Sequence, residues 1–136
     1  MWLVIMWIWF AAQLTPMPCL TPPTLLTVPD LGRWAGTYSW QDETVRVEEG
    51  RPAWVAVHEF AHHYWWVCHV EDRPLGRHFL RETGHPDWDR EAGEQFADTF
   101  AWVLVGQAGP NVVKSAAHVF LGRVDTPTPA QWKRLT

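Results

Sequence analysis

The stretch His58-Glu59-Phe60-Ala61-His62 reads H-E-x-x-H, a set of residue types and a spacing that can hold a metal ion. On a helix, residues four apart project from one face about one turn apart. Two imidazoles so placed can reach one divalent cation, and zinc is the ion that most often accepts such a pair. Glu59 falls about 100° round the helix from His58. It stands beside the ligands rather than aimed at the ion, where a carboxylate can take a proton from a metal-activated water. The flanking residues Trp54, Val55, Ala56, Val57, Tyr64, Trp65, Trp66 and Val67 are apolar on nearly every face, which predicts a buried central helix over Ala53 to Val70. A buried helix rarely carries two histidines and a glutamate unless they are paired or bind metal. On that ground the bland reading, a chance pentapeptide on a solvated face, is disfavoured.

A catalytic zinc takes three protein ligands and keeps one position open. His69 lies eleven residues beyond His58, about 16 Å along a straight helix, too far to share an ion. Glu94 is the better third ligand, on a second helix within Gly93-Glu94-Gln95-Phe96-Ala97-Asp98-Thr99-Phe100. A helix packed across the first at about 8–10 Å can set one carboxylate opposite the histidine pair. Asp98, one turn on, is placed to accept the second ring proton of a ligating histidine. Glu91 is the reserve, and a solvated acid near a helix start is the plain alternative for Glu94.

The elements that must position these groups follow from the pattern. Residues Thr15 to Pro29 hold five prolines and almost no charge, so they read as an extended linker, and residues 1–29 as an apolar, proline-rich extension. The compact domain is expected over residues 30–125, with a tail at 126–136. Thr37–Trp40 and Thr44–Glu48 favour strand, and Gln41-Asp42-Glu43 forms a turn between them. In the second run Val45 and Val47 alternate with Thr44, Arg46 and Glu48, the mark of a strand with one buried face. Pro52 suits the first turn of the motif helix. Residues Glu71 to Trp88 read as a long polar connection with a short helical turn near Arg77–Arg81. Asp89 to Val105 returns to helical spacing through Phe96, Ala97, Phe100, Val103 and Leu104, with Asp87 or Asp89 as cap and Gly106 at the C-terminal end. A last helix is expected over about Asn111–Leu121. The fold class predicted is α+β: a short hairpin or sheet and a buried H-E-x-x-H helix crossed by a second, ligand-bearing helix.

A histidine-glutamate helix followed some thirty residues later by E-x-F-A-(D/E)-x-F resembles the gluzincin class of zinc metallopeptidases, in particular its minimal members, the phage and bacterial repressor-cleaving peptidases and the anthrax lethal factor catalytic domain. The likeness covers about Thr37 to Leu104 and rests on two short motifs and a spacing. It implies a zincin-like domain with one Zn²⁺ per chain, His58, His62 and Glu94 as ligands, Glu59 as general base and Asp98 as an acidic neighbour of the ligands. The implied reaction is peptide-bond hydrolysis of a peptide or protein substrate, which could add as a strand to Thr44–Glu48. No residue matches the family's oxyanion-stabilising tyrosine or histidine. His78, His85 and Tyr64 are the candidates, His85 first by position. Trp66 and Trp102 are expected on the metal-side faces of their helices.

Composition bounds the rest. The chain has 136 residues, enough for one domain, and a net charge of −4, which leaves no basic footprint for nucleic acid. Cys19 and Cys68 read as too few and too far apart for a disulfide framework, with Cys68 a buried small hydrophobe. Residues 1–12 are continuously apolar but short of a bilayer span, and no Lys or Arg precedes them. A packed or loosely attached extension is favoured over a signal peptide, a cytoplasmic location over a secreted one, and membrane contact through this segment is disfavoured. Two further readings stand beside the peptidase: a non-catalytic zinc-stabilised interaction domain, and a metal-free helical module.

Overall fold

The structure, a computed structural model, describes residue 19 and residues 21–120. The expectations for residues 1–12 and for the 126–136 tail lie outside that span. Three strands form one mixed sheet: β1 (Thr24–Val28), β2 (Gly36–Ser39) and β3 (Thr44–Glu48), in the order β1-β3-β2. Helix α1 (Ala53–Cys68) is followed by a 3₁₀ turn (Val70–Asp72), α2 (Pro74–Thr83), α3 (Arg90–Val105) and a 3₁₀ segment (Lys114–Phe120). The α+β class predicted from the sequence is the class observed.

The hairpin forms where the alternation placed it. Val45 and Val47 of β3 are buried against the helices, while Arg46 points outward to Asp42 at 3.3 Å. Glu43 closes the turn with a left-handed backbone, φ 51°. Two expectations about the sheet are corrected. Thr24–Val28, read as part of a linker, is a strand that pairs parallel to β3 from Thr24↔Thr44 to Val28↔Glu48. Prolines flank this strand but leave it intact, as an edge position tolerates. Because β1 occupies one side of β3 and β2 the other, Thr44–Glu48 has no open edge for a substrate strand.

Helix α1 is buried along most of its length, and α3 crosses it through Phe96, Ala97, Phe100 and Ala101. Phe96 is the centre of the aromatic core, with ring centroids 4.7 Å from Trp65, 5.2 Å from Phe120 and 5.4 Å from Phe79. The Asp89 side chain accepts from the Ala92 N–H at 2.7 Å and so caps α3, and Gly106 ends it in a left-handed conformation. The stretch expected to be a connection, Glu71 to Trp88, contains the full helix α2, with Pro74 in its first turn and Gly84 at its C-terminal end. The last expected α-helix is the 3₁₀ segment.

The reading of the cysteines is also corrected. Cys19 and Cys68 form a disulfide across 49 residues of sequence, with Cα atoms 5.2 Å apart. Sequence distance did not forbid it, because the chain leading into β1 runs past the C-terminal end of α1. Among the described residues, no helix is long and apolar enough to cross a membrane.

Candidate metal centre

His58 and His62 lie one turn apart on α1, and their Nε2 atoms are 3.2 Å from one another. Glu94, from α3, sets one carboxylate oxygen 3.2 Å from His58 Nε2 and the other 3.3 Å from His62 Nε2. The three side chains thus close on one another through three contacts of 3.2–3.3 Å, a triangle of groups in which each oxygen of Glu94 meets one imidazole. Four donors placed tetrahedrally about zinc at 2.0–2.1 Å stand about 3.3 Å apart. The donor set also suits the ion: two imidazoles and a carboxylate. Without an ion, two imidazole nitrogens at this distance need a shared proton or a donor–acceptor pairing. The residues could therefore hold a divalent metal ion, with a spacing and donor types that zinc accepts.

The surroundings fix the triangle. His58 Nδ1 lies 2.7 Å from Asp98 Oδ1. A carboxylate only accepts, so Nδ1 carries the proton and Nε2 is turned to the triangle. Asp98 is itself held by the N–H groups of Gly109 at 3.1 Å and Asn111 at 2.9 Å. Gly109 sits so close that a Cβ there would meet Asp98 Oδ2 at 2.8 Å. Burial disfavours charge on Asp98, but the His58 contact and the two backbone donors outweigh it and hold its carboxyl below the ordinary value. Burial also works against a charged His58, yet its bonds to Asp98 and Glu94 and the nearby Glu59 charge prevail and raise it to about 10. The hydrogen bonds from His58 and His62 lower Glu94 strongly.

Glu59 is 8 % exposed, and one of its carboxylate oxygens lies within 4.8 Å of a ring nitrogen of each of His58 and His62. Burial raises its pKa, although the two histidines pull it down. Its carboxylate is packed under β2, where Gly36 leaves room: a Cβ there would stand 3.0 Å from Glu59 Cγ and 3.2 Å from Oε1. Glu91, the reserve ligand, is exposed and bonds Gln95 at 3.4 Å.

The triangle lies in a cleft of about 540 Å³ walled by six tryptophans: Trp34, Trp40, Trp54, Trp65, Trp66 and Trp88. Trp40 and Trp66 pair at 5.1 Å and are each about half exposed. Trp66 stands at the cleft as expected; Trp102 does not line it and carries Lys114 over its ring. The three oxyanion candidates are placed elsewhere. His85 bonds Gln95 at 2.7 Å, His78 bonds Glu82, and Tyr64 is buried against Phe96 and Phe100; none lines the cleft. Their positions near the motif in sequence did not carry them round to its open face.

Sequence reasoning missed three features of the cleft. Along one wall run Ala35 to Tyr38 of β2. The Glu48 N–H bonds the Ala35 carbonyl at 3.0 Å, so residues 35 and 48 are a hydrogen-bonded pair. The alternation of antiparallel pairing then turns the N–H and C=O of Gly36 and Tyr38 away from β3. Arg90 is the one lysine or arginine among the described residues that line the cleft. Tyr38 belongs to a chain of bonds: its hydroxyl is 2.9 Å from His63 Nδ1, and His63 Nε2 is 2.6 Å from the Thr21 carbonyl. The carbonyl only accepts, so Nε2–H donates to it. Burial lowers the pKa of His63 and favours its neutral form. In that form Nδ1 accepts, and Tyr38 donates to it. No local pattern marks a histidine for such a role. The comparisons find no match to this chain among protein-family models, curated proteins or solved structures.

Proposed function

We propose that this chain is a zinc-dependent peptidase. The observation that carries the reading is the closing of His58, His62 and Glu94 from two crossing helices to 3.2–3.3 Å, with Glu59 buried beside them as an acid that no ligand role requires. When bound, zinc supplies a Lewis acid that makes water nucleophilic near neutral pH and polarises the scissile carbonyl.

The chain's own groups do the rest. Glu59 takes the proton of the attacking water as oxygen bonds to the carbonyl carbon. It returns that proton to the amide nitrogen as the C–N bond breaks, giving acid and amine. Its raised proton affinity suits both steps. An extended substrate pairs with the outward N–H and C=O of Gly36 and Tyr38, in place of the Thr44–Glu48 strand first considered. Arg90, which lines the cleft, is the cation available to offset the negative charge that develops on the carbonyl oxygen. The Tyr38 hydroxyl is committed to His63 and serves to hold the strand. Tryptophan walls favour large apolar or aromatic side chains flanking the cut bond. The Cys19–Cys68 bond suits work in an oxidising compartment, against the cytoplasmic location first favoured.

Glu59→Gln tests the reading with a peptide library rich in aromatic residues and a zinc assay. Cleavage should fall by at least about 10²-fold, with zinc content kept. Cleavage at the parental rate would remove the assigned mechanism.

A further inference from the structure

A second group of metal-type donors lies away from the cleft. His78 on α2 places Nε2 3.2 Å from Glu82 Oε1 one turn later. His118, from the 3₁₀ segment, places its own Nε2 3.7 Å from the same oxygen. The two rings meet edge to face at 5.6 Å, and one donor atom from each of the three residues lies within 4.8 Å of the others. None of the three lines the cleft.

We propose that His78, Glu82 and His118 form a second metal site, for a divalent transition ion such as Zn²⁺, which clamps α2 to the 3₁₀ segment. Two imidazoles and a carboxylate are borderline donors of the kind such ions prefer over Mg²⁺ or Ca²⁺. Three protein ligands leave one position for water. Both histidines approach the same oxygen of Glu82, so one ion set between the three side chains would be within reach of all of them.

The core behind the cluster holds it in place. Phe79, next to His78, is fully buried and packs on Phe120 at 5.8 Å. Val119, next to His118, is likewise buried. The two backbones are thus fixed relative to one another, and binding an ion requires only that the 3.7 Å side close towards about 3.3 Å between partly exposed side chains. The site does not depend on the peptidase reading, since it shares no residue with the first centre.

Equilibrium titration of the full chain with Zn²⁺ against a chromophoric indicator tests it. The parent should take up a second equivalent. His118→Ala and the double variant His78→Ala/His118→Ala should lose that equivalent and keep the first, and peptide cleavage should be unchanged. Glu94→Ala should weaken the first and keep the second, and excess Zn²⁺ should still raise its Tm. Saturation of the parent at one equivalent, or a second equivalent that persists in the double variant, would overturn the proposal. Partial exposure of these side chains lets the variants fold, and a circular dichroism melt without metal verifies it.

Discussion

Asp98 Oδ1 stands 2.7 Å from His58 Nδ1, and that one contact decides which nitrogen of His58 faces Glu94 and His62. Asp98 is nearly fully buried, and both its oxygens receive backbone N–H groups from the chain after α3. The carboxylate is therefore a rigid reference for the imidazole ring. Asp98→Asn keeps the size but weakens the acceptor, so zinc affinity should fall about 10–100-fold. Competition with a chelator of known affinity measures it, and parental affinity would show that Asp98 does not orient the ligand.

Metal uptake should be linked to proton release. In the metal-free protein His58 has a pKa raised to about 10, so it carries a proton at pH 7.5 that zinc must displace. Calorimetric titrations in buffers of different ionisation enthalpy should show release of about one proton, with apparent affinity rising as pH approaches 10. The sign for folding is opposite. Because the folded-state value exceeds the ordinary 6.5, His58 stabilises the metal-free fold fully below about pH 6.5 and loses that contribution as pH rises through about 10. Metal-free Tm should fall over that window. A buffer-independent binding heat would contradict the linkage.

Gly36 of β2 lies close against Val55 and Glu59 of α1. In Gly36→Ala the new Cβ would stand 2.8 Å from Val55 Cγ1 and 3.0 Å from Glu59 Cγ. Overpacking of this kind costs about 1–3 kcal/mol. The variant should melt lower and cleave more slowly while keeping its zinc, because Glu59 is displaced and the ligands are not. Parental Tm and rate together would show that the strand yields freely there.

The disulfide anchors the entry to β1 on the end of α1. Closing a loop of 49 residues stabilises by about 4 kcal/mol in the chain-entropy account. Cys19→Ser/Cys68→Ser should lower the urea midpoint accordingly, and reduction of the parent should reproduce it. Equal midpoints in the presence and absence of reductant would mean that the bond contributes nothing.

Local patterns carried the parts of the fold that local chemistry decides. Alternation of Val45 and Val47 with polar neighbours marked β3, the apolar spacing of Phe96 and Phe100 marked α3, and Asp89 and Gly106 marked its ends. The i, i+4 histidines and the downstream Glu94 and Asp98 could be placed for the same reason, since each depends on its own helix. What escaped depends on which segments meet. β1 shows no alternation and sits among prolines, and it is a strand only because β3 offers it a partner. Pro74, Gly76 and Gly84 looked like loop residues, although a proline in the first turn and a glycine past the last are also how a short helix is bounded. That β3 is central and β2 an outer strand is a property of strand order, which neither segment encodes alone. The Cys19–Cys68 and Tyr38–His63 contacts are likewise products of the assembled fold.

Anomalous diffraction at the zinc absorption edge, from crystals of the metal-loaded protein, addresses the centre most directly. A peak bonded by the Nε2 atoms of His58 and His62 and by the Glu94 carboxylate, with Glu59 unligated beside it, is the result expected. A zinc-loaded crystal with no peak between those three side chains, or with Glu94 turned away from the ion, would contradict it.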